Sequence, residues 1–451
     1  MGIVISARRS IRAVLAVSWL SIAPAAAGAQ SIDPQSSAQH HHQPDPRATI
    51  ELFPVREASG TAWLPDTTPM HDIQRTWRGW QVMLHGTGFA QYLIEPGDRH
   101  RTGGNSTHQL GSVNWGMVRA RQAIGSARLG LRTMVSLEPW TLPDCGYISF
   151  LATGETCDED TIHDRQHPHE LFMELAADYD RPLSRSWRWQ IYGGLAGEPA
   201  LGPPGFPHRV SAALNPIAPI GHHWLDSSHI TFGVLTASVY ERRWKMEMSA
   251  FNGREPDENR GDLDLGPLDS VSARVTYVPV DRVALQASAG RLREAEQEFA
   301  PQPRSDVDKL TASFTYHRPL GPDGFWASTI AYGVSSGIES VPGGTFEART
   351  QALLIETSAA VGQHTWFGRV EAVEKPAHDL HAHEFPTSIF TVGKLQVGYV
   401  REFRSRRGAV PGLGATASLS FVPEALASRY GGRVAPGFGV FASVRPFRHA
   451  M

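Results

Sequence analysis

The sequence predicts an all-β transmembrane barrel: an up-and-down antiparallel sheet of about sixteen strands closed on itself, with fourteen to eighteen within reach of the pattern. Three observations predict it. From Trp77 onward, apolar and polar residues alternate over segments of about ten residues, the length a tilted strand needs to cross a bilayer. Short links alternate with long ones along the chain. Aromatic residues gather beside the short links.

The chain opens on a targeting segment. Arg8, Arg9 and Arg12 precede the apolar run Ala13–Ile22, and Ala27-Gly28-Ala29 forms a small-residue cleavage site. Residues 1–29 thus read as a signal peptide cleaved near Ala29, and an exported chain is expected. Losing the leader's three arginines leaves 39 basic against 45 acidic side chains, a net charge of −6. Nothing here offers the basic field that nucleic acid requires. Residues 30–76 are polar and rich in Pro, Ser and His, and read as a flexible periplasmic leader. Residues 77–451 form the barrel domain. No later stretch has the roughly 18 apolar residues of a membrane helix. A low mean hydropathy does not count against a barrel, whose alternating strands average out.

The alternation assigns faces. Leu129, Leu131, Thr133 and Val135 oppose Arg128, Gly130 and Arg132. Leu171, Met173, Leu175, Ala177 and Tyr179 oppose Glu174, Ala176 and Asp178. The same pattern recurs around Ile191, Val275, Leu285, Phe314 and Leu419. The weakest strand assignments are 113–121, 230–240 and 366–373. Short links such as 122–126, 180–184, 241–243, 279–281 and 362–364 are expected at the periplasmic end. The long segments 141–169, 199–228, 254–269, 292–306, 338–350 and 375–389 are expected outside. Tyr179 with Trp187, Tyr240 with Trp244, Tyr316 with Phe325 and Trp326, Trp366, Tyr277 and Tyr399 would ring the short-turn end as an interfacial girdle. The last segment, 438–447, would close onto the first. Its aromatic Phe447 is the kind of terminal signal that barrel-assembly machinery reads, here followed by four more residues.

The polar face then becomes a lumen lined by both signs of charge: Arg128, Arg132, Glu174, Asp178, Arg188, Lys245, Glu247, Arg274, Lys309, Glu356, Arg369, Glu371 and Lys394. A barrel of this strand number is wide enough for an aqueous channel. The apolar, Pro-rich segment 199–228 is expected to fold inward and narrow it. The function expected is therefore a porin-like channel passing small hydrophilic solutes or ions passively. Its partners would be outer-membrane lipid, lipopolysaccharide and the assembly machinery; the pattern admits a homotrimer without requiring one.

The alternative is a barrel that binds or exports copper or zinc through loop histidines: His163, His167 and His169 in one loop, His222 and His223 in another. His40 to His42, His71, His378, His381 and His383 add to the supply, though no spacing among them is a metal signature. Cys145 and Cys157 form a close pair in an exported chain and read as a disulfide. Closing so short a loop would contribute about 3 kcal/mol at most. An outer-membrane lipid hydrolase is the remaining reading. Ser106, Ser227, Ser228 and His229 supply residue types for it, but the nucleophile-elbow and zinc-protease motifs are absent.

At Asp164-Arg-Gln-His-Pro-His-Glu-Leu-Phe-Met-Glu174, Gly197-Glu-Pro-Ala-Leu-Gly-Pro-Pro204, Asn252-Gly-Arg-Glu-Pro-Asp-Glu-Asn259 and Val370-Glu-Ala-Val-Glu-Lys375, the chain resembles a family of uncharacterised Gram-negative outer-membrane barrel proteins. The resemblance covers most of 77–451. It implies a porin-like barrel, a loose association with metal handling, and no reaction.

Overall fold

The computed structural model describes residues 54, 56–96, 107–143, 145–157, 160–296, 304–341 and 344–447. The expected signal peptide, residues 1–29, and His40 to His42 lie outside them. Nineteen strands follow one another: β1 (Ile73–Trp77), β2 (Trp80–Glu95), β3 (Thr107–Ile124), β4 (Ala127–Val135), β5 (Tyr147–Cys157), β6 (Asp160–Gln166), β7 (Phe172–Pro182), β8 (Arg188–Gly197), β9 (Thr231–Tyr240), β10 (Trp244–Phe251), β11 (Ser270–Val280), β12 (Val283–Glu296), β13 (Ser305–Pro319), β14 (Gly324–Val341), β15 (Gly344–Val361), β16 (His364–Pro376), β17 (Ile389–Glu402), β18 (Ala409–Phe421) and β19 (Val434–Pro446).

Sixteen of these form a closed antiparallel ring. It runs from β2 through β3 and β4 to β7, then in chain order to β19. Closure is by β19 on β2, from Phe438 opposite Ile94 to Val444 opposite Gly88. The strand β1 pairs with the first residues of β2, below the reach of β19. The hairpin β5–β6 stands outside the ring, and Cys145–Cys157 ties the chain just ahead of β5 to the last residue of that strand. Closure leaves no unpaired edge, the condition a sheet must meet in hydrocarbon.

Side-chain direction follows the period-2 pattern. Leu131, Ile191, Val275, Leu310, Ile330, Ile355, Val397 and Leu419 are exposed on the outside. Their polar neighbours in sequence are buried inside. Aromatic pairs ring the short-turn end: Trp244 on Tyr277 at 4.1 Å, Tyr316 on Trp326 at 5.6 Å, and Trp366 on Tyr399 at 5.7 Å. Tyr240 and Phe325 depart from the expected girdle. Tyr240 turns inward to Asp180 and Arg128, and Phe325 is buried against Ala327 and Ala360.

Three expectations are corrected. Residues 338–350 are not a long loop: β14 and β15 continue to a tight connection after Val341. Met173 is not on the lipid face. A bulge where Met134 opposes Glu174 and Val135 opposes Phe172 leaves Met173 as the extra residue, and it turns into the lumen against Met117 and Met134. The segment before the barrel is not a free leader over its last part, since residues 56–72 lie folded inside the ring.

Candidate functional site in the barrel lumen

Arginine, lysine and carboxylate side chains on alternate strand positions face inward, and each meets an opposite charge or an inserted segment. Arg132 Nε reaches Asp178 at 3.1 Å, Arg128 Nε reaches Asp180 at 3.0 Å, and Arg188 Nε donates to the same Asp180 at 2.7 Å. Lys245 and Arg274 share Glu247 at 3.2 and 2.8 Å. Arg369 reaches Glu356 at 3.2 Å, and Lys394 lies 3.4 Å from Glu95. Glu174 accepts from Tyr192 at 2.7 Å. Glu371 accepts the Gly221 amide, and Lys309 donates to the His223 carbonyl. All the charges expected in the lumen therefore face it. They are nearly all buried, because two segments of the chain occupy the space between them.

The first segment enters at the short-turn end. A tight hairpin links Glu57 to Trp63, with Ser59–Ala62 as its tip. Glu57 binds Arg119 at 2.5 Å and Arg121 at 2.6 Å, with Arg128 at 3.8 Å. Burial pushes the Glu57 carboxyl up, but Arg121, Arg119 and Arg128 outweigh it and hold it well below the usual carboxylate range. The Gly60 carbonyl accepts from Arg132, and Lys245 donates to the Thr61 carbonyl. Trp63 packs on Val278, Ala284 and Tyr240, with Arg56 4.5 Å above its ring. Gly60 is at φ +51°, and a Cβ there would stand 2.7 Å from the Glu198 Cβ.

The second segment, 198–230, descends from the outer end, and the two meet where the Gly205 amide donates to Ser59 Oγ. Its Arg209 is fully buried between Asp226 and Glu356, the latter at 2.7 Å. Asn215 donates to Gln396 on β17, and Ser211 to Glu356. The hairpin β5–β6 covers the outer end, with Phe150 and Leu151 packed among Ile220, Trp224, Leu380 and Tyr430.

Two cavities remain. The inner one, about 710 Å³, lies between the 56–72 segment and the β2–β3 wall, among Met70, His71, Met83, His85, Trp115 and His208. His85 Nε2 stands 2.9 Å from Met117 Sδ. The outer one, about 620 Å³, is a histidine chamber with His167, His169, His223 and His229 in its wall, together with Glu155, Glu170, Glu255, Arg260 and Lys309. Its rings are mutual neighbours: His222–His229 at 5.1 Å between centroids, His169–His229 and His222–His223 at 5.4 Å, His167–His223 at 5.6 Å. Burial holds the His167, His222 and His229 imidazoles below their usual range and His223 at about 4, so they are neutral near pH 7. His169 is held up instead: burial opposes its charge, but Glu138 at 3.0 Å outweighs burial. Glu170 is pushed up to about 8 by burial, despite Arg260 at 2.6 Å.

Of the histidines singled out in the sequence, His167, His169, His222 and His223 come together here. His163 does not: it stacks on His381 at 4.9 Å and bonds to the Tyr430 hydroxyl. Sequence reasoning weighed His229 for a hydrolase and not for metal, and passed over the orienting groups Glu138 and Asp226, and Met83, Met117 and Met134. His229 was visible in the same loop as His222. The methionines gave no signal beyond inward parity on their strands. Among the described residues, one group of three or more potential ligands has its ligating atoms within 4.8 Å of one another: Asp257, Asp262 and Asp264, in an outer loop.

An apolar exterior around a closed ring with a charged interior is the inverse of a soluble barrel. The chain is an outer-membrane β-barrel. No family model and no curated protein matches it in sequence. Solved outer-membrane structures are similar in strand architecture. OmpF of Salmonella typhi, in complex with daunomycin, is 9% identical with a TM-score of 0.48, over 82% of this chain and 100% of that one. The outer membrane channel DcaP of Acinetobacter baumannii is 12% identical with a TM-score of 0.46, over 82% and 99%. A loop-deleted OmpT of Vibrio cholerae is 11% identical with a TM-score of 0.46, over 81% and 99%.

Proposed function

We propose that this barrel is a gated outer-membrane channel for small hydrophilic solutes or ions, closed in the present conformation by residues 56–72. One observation carries the reading. The short-turn half of the lumen is occupied by a segment docked on wall charges, Glu57 on Arg119 and Arg121 and the Thr61 carbonyl on Lys245. Removing it would expose Arg119, Arg121, Arg132, Lys245 and Arg274 to water as a polar passage. The direct test is planar-bilayer conductance of the refolded mature chain against a variant lacking residues 54–72. The variant should conduct in long, large steps and the parent in rare ones. A folded, heat-modifiable deletion variant without conductance overturns the proposal.

The reading is non-enzymatic. Ser227 Oγ donates to the His223 carbonyl and His229 Nδ1 pairs with the Asp226 carbonyl, so this serine and this histidine are each turned to the backbone. We also infer lipid and lipopolysaccharide against the apolar belt, and the assembly machinery as folding partner. Cross-linking in native membranes, read as a threefold mass ladder, tests the homotrimer. A second reading, handling of copper or zinc, is favoured by the ring of neutral imidazoles in the outer cavity.

A further inference from the structure

The imidazoles of the outer chamber are oriented from behind. Nδ1 of His167 faces the Pro168 carbonyl at 3.2 Å, and that of His169 faces Glu138 at 3.0 Å. Nδ1 of His222 faces Asp226 Oδ1 at 2.8 Å, and that of His229 faces the Asp226 carbonyl at 2.8 Å. An oxygen acceptor keeps the proton on Nδ1 and leaves Nε2 with a bare lone pair. At His167 and His229 that nitrogen is buried without a hydrogen-bond partner, and so is Nε2 of His223. The only polar atom recorded near His167 Nε2 is Glu155 Oε1, at 3.2 Å and outside hydrogen-bonding geometry.

Buried polar atoms are normally satisfied, and three bare imidazole nitrogens around one cavity are a lasting cost to the fold unless something occupies it. Rings held by carbonyl or carboxylate through Nδ1, with Nε2 free, are how proteins present histidine to a metal. One ring spacing agrees. With metal–nitrogen bonds of about 2.0–2.1 Å, imidazoles on one tetrahedral ion stand about 5 Å apart between centroids. His167 and His223 stand 5.6 Å apart, while His229 reaches the group through the adjoining rings of His222 at 5.1 Å and His169 at 5.4 Å. The carboxylates of Glu155 and Glu255 supply compensating charge beside them.

We propose that the outer chamber binds a borderline divalent transition-metal ion, Zn(II) or Cu(II), through Nε2 of His167, His223 and His229, with Glu138 positioning the adjoining His169. The three residues line one cavity, and their ligating atoms are not all within 4.8 Å of one another, so the site closes only if the rings move on binding. The proposal deepens the channel reading by naming the class of cation that enters the lumen, and rests on it only for passage onward.

Calorimetry of the refolded mature barrel with ZnCl2, and electron paramagnetic resonance with CuCl2, test it. One ion per chain is expected, with nitrogen couplings in the copper spectrum. His167→Asn and His229→Asn should each weaken binding at least tenfold. Glu138→Gln, which touches only the non-ligating His169, should weaken it less than tenfold while keeping the nitrogen couplings. His163→Asn, on the separate His381 stack, should leave affinity unchanged. Heat-modifiability reports folding, and His223→Gln, at a less enclosed ring, serves if the others misfold. No binding by folded parent chain, or parental affinity in a folded variant of the three ligands, overturns the proposal. Potassium conductance without metal binding removes the site and keeps the channel. Metal binding without conductance, even in the deletion variant, keeps the site and removes the channel.

Discussion

At the residue scale, the proposed closure turns on Glu57. Its carboxylate is desolvated, yet it is held charged by Arg121, Arg119 and Arg128. A carboxyl whose folded value is depressed stabilises docking fully above its ordinary value of 4.5, and that contribution is lost as pH falls through the lower folded value. Conductance should therefore stay low at neutral pH and rise only in acid well below pH 4.5. Glu57→Gln should raise the open probability at neutral pH several-fold and abolish the acid transition. Gly60 makes a second test: Gly60→Val places a branched side chain against Glu198 at a left-handed φ, and should open the channel without unfolding the ring. The inward charges of the wall were readable from parity alone. Glu57 was not, because its partners lie more than sixty residues away on other strands and its own neighbourhood has the composition of a loose leader.

At the element scale, the strands were legible because one face meets lipid and the other meets charge. Even the faint segments around 113–121, 230–240 and 366–373 lie within β3, β9 and β16. What hid was anything that breaks period 2. The bulge in β7 sends Met173 inward, and the β14–β15 arms extend through residues whose turn-like composition reads as loop. The lipid face itself is testable: Val397→Arg, at an exposed site midway along β17, should cost about 2–4 kcal/mol in bilayer unfolding if it sits at the midplane. Reducing Cys145–Cys157 should release the β5–β6 cover, with about 3 kcal/mol at most lost locally, while the ring keeps its heat-modifiable mobility.

At the scale of the whole molecule, the two inserted segments differ in how they are attached. Residues 198–230 are anchored at both ends, to β8 and β9, and their Arg209 is locked between Asp226 and Glu356. Among the described residues, 56–72 are covalently joined to the ring at one end, through β1, beside the end where β19 also terminates. On the proposed channel reading, the outer insert is a fixed constriction and the inner one a removable stopper. A stopper hinged at one end can leave by the periplasmic mouth without breaking a rung of the ring.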